Sequence, residues 1–239
     1  VNFLPSMWGL YQAGGLASID AFQFGFAIGV LNVPQEAIAE TLHLDPNGIT
    51  WSTVVSIFCL GGLAGAQVAG SIADRYGRTS LLMVSALLCA VSGAVQFLSG
   101  AIASEHDGGD ALLLAICALC FGRLLVGAGA GMATVGVPLY LGEIAPAHLR
   151  GLFGALNQVA IVFGILVSQL IAALAAESLH WKYLLGLPAL GGVLVLLARP
   201  LLPETPMYLL TSLTGEDDAL RSLRRLRPNG EKAIADELE

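Results

Sequence analysis

Charge is what this sequence has least of. Of 239 residues only 12% are Asp, Glu, Lys or Arg, against 56% hydrophobic residues and a mean hydropathy of +0.76, whereas a soluble domain carries about 25% charged residues. The shortfall excludes a water-soluble globular chain. Histidine is missing from every long apolar run, and Asp20 is the sole acidic residue in the middle of one. A nucleophile beside a base, or a metal-ligand cluster, has nowhere to form there, so no enzyme, cofactor or metal is expected. The runs also lack the period-two alternation of barrel strands, which leaves helices as the spanning solution. The four cysteines all lie inside apolar runs, and Cys117-x-x-Cys120 has no second ligand pair, so they read as small packing residues. With a formal net charge of −7, nucleic acid is not an expected partner. It begins at Val1 without Met, and no charged n-region or A-x-A site precedes the first apolar run, which predicts a fragment.

What is present is a series of apolar runs at about Trp8–Val33, Trp51–Ala73, Ser80–Ala103, Ala111–Leu141, Leu152–Ala176 and Trp181–Leu202. Each suffices to cross about 30 Å of hydrocarbon, for which roughly 20 residues are needed. The connections alternate in sign. One set carries Glu36, Glu40, Asp45, Glu105, Asp107, Asp110 and Glu177; the other carries Arg75, Arg78 and Arg150, joined after the last run by Arg199, Arg221, Arg224, Arg225, Arg227 and Lys232. The positive-inside rule therefore places both termini in the cytoplasm. Glycines concentrate in the second and fourth runs, where small residues let helix backbones touch within lipid. Gly127-Ala-Gly-Ala-Gly131 is no dinucleotide finger, since no strand precedes it. At Pro203-Glu204-Thr205-Pro206 the composition turns polar, dividing a 1–203 membrane bundle from a 204–239 cytoplasmic linker. In that linker Leu220, Leu223 and Leu226 predict a short amphipathic helix at the inner surface, either an anionic-lipid anchor or a solvated linker.

The charged stretch Gly70-Ser-Ile-Ala-Asp74-Arg75-Tyr-Gly77-Arg78, set between two apolar runs, resembles the loop between helices 2 and 3 of the major facilitator superfamily. Further stretches are similar to its sugar porters, the facilitative glucose transporters. Gln23-Phe-Gly25-Phe-Ala-Ile-Gly29-Val-Leu-Asn32-Val-Pro34-Gln35 resembles their first helix, and Gly122-Arg123 with Pro138-Leu-Tyr140-Leu-Gly-Glu143-Ile-Ala-Pro146-Ala-His-Leu-Arg150-Gly151 their fourth helix and the following loop. Asn157-Gln158-Val-Ala-Ile161-Val162-Phe-Gly164-Ile165-Leu-Val-Ser-Gln169 resembles their fifth helix, and Pro203-Glu-Thr-Pro206 the P-E-S-P after their sixth. The resemblance implies an all-α fold of six transmembrane helices arranged as two inverted three-helix repeats, the N-terminal half of a twelve-helix transporter. Its partners would be a small sugar, the lipid bilayer and a C-terminal half; its location, the plasma membrane.

For the site, the resemblance implies sugar contacts from Gln158, Ile161, Val162, Ile165, Phe24 and Ile28. Gln158 also has a physical argument: an unsatisfied amide in lipid costs several kcal/mol, so it faces a wet cavity or bonds a neighbouring helix. Asp74, Arg75, Arg78, Glu143, Arg150 and Glu204 have the signs and positions for a cytoplasmic ion-pair network, which the resemblance implies would latch the halves together. Where family members carry Asn or Asp, this chain has Ala27, and Met207 and Thr79 replace arginines of the pattern. Asp20, two turns before Ala27, remains as a possible proton site or as a structural group, since intramembrane carboxylates are costly and usually functional. The expected function is monosaccharide transport by alternating access, as a uniport. A proton symport through Asp20 and a sugar sensor on the same fold are the alternatives.

Overall fold

The computed structural model describes residues 7–105, 108–175, 180–211 and 216–226. Asp107, Glu177, Arg227 and Lys232, counted above among the loop charges, lie outside them. Every run anticipated as a span is a helix: α1 (Trp8–Gly29), α3 (Ile49–Tyr76), α4 (Arg78–Glu105), α5 (Gly109–Ile144), α6 (Arg150–Ala175) and α7 (Trp181–Leu197). Between α1 and α3 lies a short helix, α2 (Gln35–Thr41), which the acidic loop did not announce; α8 (Pro206–Thr211) and α9 (Glu216–Leu226) follow the bundle. Length and apolarity alone qualify α3, α4, α5 and the stretch Ala147–Leu174 to cross a membrane. The α7 helix is as apolar but has 17 residues. Helix α1 has 22, and Gln12, Asp20 and Gln23 dilute its hydrophobicity. It is held by its neighbours more than by lipid. At 1.5 Å per residue the 36 residues of α5 reach about 54 Å, well past the hydrocarbon thickness.

The inverted repeat is visible in how the helices cross. On α1, a Cβ on Gly25 would collide with the backbone of Ile161, and one on Gly29 with Ser168; on α6, a Cβ on Gly164 would meet the carbonyl of Phe22. On α5, Gly127 and Gly131 press in the same way on the backbones of Phe58 and Gly62, while Gly61 and Gly65 of α3 press on Leu124 and Ala128. Each crossing is a small-x-x-x-small notch meeting its counterpart, the packing that lipid-embedded helices use when hydrophobic force cannot draw them together. Exchanging the first three spanning helices for the last three maps the α1/α6 crossing onto α5/α3. Helices α4 and α7, the third of each triplet, pack on one another through Gly93 against Ala189 and Gly192 against Ala86 and Ala90.

The two largest buried clusters sit at opposite ends of the bundle. One sits at the Arg78 end and contains Leu10, Tyr140, Leu141, Ile144, Phe153 and Leu226. The other sits at the α2 end, where Ile38 and Leu42 are covered with Trp51 and Trp181. The apolar side of α9 belongs to the first: Leu223 and Leu226 are buried, and the backbone at Arg225 abuts Gly9 of α1. The leucines foreseen as an amphipathic face rest on protein.

Candidate functional site

At the end of the bundle where α3 turns into α4, Gly77 has φ of +96° and ψ of 160°, a region essentially confined to glycine that costs an L side chain on the order of 1–3 kcal/mol. A Cβ there would also strike the Glu204 carboxylate and the Tyr208 ring. Glu204 uses that space. Its carboxylate accepts the backbone N–H groups of Arg78 (3.0 Å) and Thr79 (3.1 Å), so it caps α4 from a distant part of the sequence. The Arg78 guanidinium makes a two-nitrogen contact with Glu143 near the end of α5, from Nε at 3.0 Å and Nη2 at 2.9 Å, and donates from Nη1 to the Ala73 carbonyl. Asp74 stands 3.7 Å away, and the Tyr208 ring lies under the guanidinium at 5.3 Å. The Tyr140 hydroxyl donates to Pro203 O, and Tyr208 donates to Arg75 O, which ties the polar segment after α7 to the bundle.

The arrangement brings Asp74, Arg78, Glu143 and Glu204 together. The Arg75 and Arg150 side chains are placed differently: both are exposed and neither forms an ion pair with a described residue, Arg75 lying only over its neighbour Tyr76.

The residues singled out for sugar scatter over two surfaces. Gln158 and Val162 are exposed on α6, with Ile165 on the same helical face. The backbone of Ile161 is against Gly25 of α1. Phe24 is partly buried, and Ile28 is exposed toward a cleft of about 380 Å³ between α1 and α3, with Asn32, Gln35, Trp51 and Ser52 around it. Asp20 is elsewhere: it is 2% exposed and accepts a bond from Gln23 Nε2 at 3.4 Å, while its Oδ2 and Gln23 Oε1 have no hydrogen-bond partner.

The cleft also holds the arginine of the Gly122-Arg123 motif. Arg123 of α5 is 3% exposed and lines that cleft, with Nη1 donating to Ala27 O at 3.1 Å and its guanidinium 4.7 Å over the Phe58 ring. An arginine inside an apolar run was signal enough to single it out.

With this geometry in place, the comparisons with known proteins are consistent among themselves. In solved structures, the proton:xylose symporter XylE bound to 6-bromo-6-deoxy-D-glucose superposes with a TM-score of 0.84 at 22% identity, covering 98% of this chain and 52% of that one. The inward-open xylose transporter XylE from E. coli gives 0.80 at 23%, over 96% and 55%. These likenesses establish the fold. Among curated proteins, human solute carrier family 2, facilitated glucose transporter member 4, is 36% identical over 228 residues, and mouse member 3 is 36% identical over 226; each match covers 88% of this chain and 43% of the relative. The chain thus spans less than half the length of those relatives and half of the solved transporters, as one six-helix repeat pair of a multi-pass membrane protein. Since the Sugar (and other) transporter model matches residues 15–238 continuously, this chain belongs to that family.

Proposed function

We propose that the chain forms the N-terminal half of an alternating-access transporter that moves a monosaccharide, a hexose, by facilitated diffusion, with the Arg78 end in the cytoplasm. The observation that carries the uniport reading is the pairing of Ala27 with an enclosed Asp20. Ala27 offers no carboxylate beside the cleft, and Asp20 is buried with a partner one turn along its own helix. A carboxylate that drives symport must change its proton occupancy when sugar binds, which requires contact with the ligand or its cavity. The exposed Gln158 with Val162 and Ile165 supplies one wall of a sugar site, the amide for hydroxyls and the aliphatic groups for apolar ring faces, and the C-terminal half supplies the other. Arg75 and Arg150, exposed and unpaired with described residues, are the cations available to acidic groups of that half, while Arg78, Glu143 and Glu204 hold this half together.

Uptake into liposomes bearing the full-length protein tests the reading. Glucose equilibrates without accumulating, an inward proton gradient changes nothing, and Asp20→Asn behaves as wild type. Accumulation above the external concentration, lost in Asp20→Asn, makes the protein a symporter instead, a reading favoured by the unpartnered Asp20 Oδ2. Gln158→Leu weakens glucose affinity by about 1–3 kcal/mol, roughly fivefold to 150-fold; unchanged uptake kinetics at normal expression remove Gln158 from the site.

A further inference from the structure

Arg123 is the one described basic side chain that is buried without an ion-pair partner. It is 3% exposed, and no carboxylate among the described residues comes within 4.0 Å of it. Its Nε has no hydrogen-bond partner. The α1 residue it reaches is Ala27, through the main-chain carbonyl, and alanine brings no counter-charge. The Phe58 ring under it offers a quadrupole in place of an ion. Burying a guanidinium in this way is expensive unless an anion completes it.

The space for that anion is present. Arg123 lines the cleft of about 380 Å³, whose rim carries Asn32, Gln35, Ser52 and Ser56. Gln35 Nε2 is held by Pro46 O, and the two serine hydroxyls donate back to their own helix at Gly48 O and Thr53 O. The hydroxyls are free to turn, each trading a bond to its own helix for one to a ligand. On the apolar side the cleft is walled by Ile28, Trp51 and Val55. A cation at the base, rotatable donors at the rim and an indole beside them make a receptor for a small anion carrying a flat or hydroxylated body.

We propose that Arg123 and this cleft form an anion site that accepts a carboxylate or an inorganic anion of similar charge. Two sources share that chemistry: the carboxylate of a sugar acid, and a free ion such as chloride. The chloride arm stands independently of sugar transport, whereas the sugar-acid arm rests on the reading above.

The test is a calorimetric titration of the full-length protein in detergent, in a HEPES buffer, with sodium D-glucuronate, D-glucose and sodium chloride. Glucuronate binds at least tenfold more tightly than glucose in wild type. Arg123→Gln, which removes the cation, lowers glucuronate affinity at least tenfold and leaves glucose unchanged. Ala27→Asp leaves the arginine in place and supplies an internal counter-charge; it has the same effect, so the result does not depend on how well Arg123→Gln folds. Chloride that binds saturably and displaces glucuronate identifies the inorganic ion as an occupant, and chloride without effect identifies the sugar acid; either supports the site. Equal binding of glucuronate and glucose with no chloride isotherm, or glucuronate affinity that survives both substitutions, overturns it. Glucose uptake that fails in liposomes leaves the chloride isotherm untouched, and a missing anion isotherm leaves glucose uptake untouched, so the two proposals fail separately.

Discussion

Two arginines of this molecule are set over aromatic rings and withdrawn from solvent, and they are treated in opposite ways. Arg78 has 12% of its side chain exposed, lies over Tyr208 and meets Glu143, itself 14% exposed, through two nitrogens, with the Ala73 carbonyl as a further acceptor. Arg123 is buried more deeply, lies over Phe58 and has one main-chain carbonyl. The first is finished within the chain, joining α3, α4 and α5 where they leave the apolar layer. The second is unfinished. Of these two, the arginine that the fold completes serves the architecture, and the one it leaves incomplete is the one we assign to a ligand.

The sharpest way to break the comparison is to give both arginines the same substitution. Arg78→Met strands the Glu143 carboxylate in a largely desolvated position and lowers stability by about 3 kcal/mol, read as a fall in the unfolding midpoint in detergent. A loss below about 1 kcal/mol demotes the pair to an ordinary surface contact. Next in size is Gly77→Ala, which forces a Cβ into a conformation essentially confined to glycine and into the Glu204 carboxylate at once, for about 2 kcal/mol. Combined with Glu204→Ala its cost is less than the sum of the two single changes, because the collision is removed; strict additivity in that cycle separates Gly77 from the cap. The smallest effect is expected at the other arginine. Arg123→Met replaces an uncompensated cation with an apolar side chain of similar reach and, in buffer lacking small anions, leaves the midpoint within about 1 kcal/mol of wild type or above it. A fall as large as that of Arg78→Met shows that Arg123 is structural, and the comparison collapses.

The difference between the two arginines was only half legible in the sequence. The span positions were, because runs of about 20 apolar residues separated by polar breaks leave helices few other registers; all six spanning helices end within a few residues of the runs. Of the six residues expected in the Arg78 group, Asp74, Arg78, Glu143 and Glu204 come together, while Arg75 and Arg150 stay apart. The partner choice was not legible. Arg78 and Glu204 are 126 positions apart and Arg78 and Glu143 are 65 apart, so helix rotation and the path of the chain after α7 decide which carboxylate reaches which nitrogen. Arg150, of equal charge and in the same region, turns outward to solvent. Nor does any periodicity show that α2 folds its Ile38 and Leu42 under Trp181, since a seven-residue helix is too short to carry a pattern. The leucines of α9 were legible as a face but not as to what covers it, for protein and lipid interiors present the same chemistry to an apolar side chain.

The glycine crossings also set a schedule for biogenesis. The notches of α3 find theirs on α5, the next but one helix, whereas those of α1 wait for α6, more than a hundred residues further along the chain. At about 5–20 residues added per second, that wait lasts on the order of 10 s. Throughout it α1, which is not among the helices apolar enough by hydropathy to qualify as a span and carries Asp20 and Gln23, has to be kept by the insertion machinery or by α3, α4 and α5 as they arrive. Helix α1 is thus locked well after α3 has met α5, and α4, whose Gly93 meets α7, later still. A ribosome stalled before α6 would leave α1 open to quality control even though α3 and α5 had already joined.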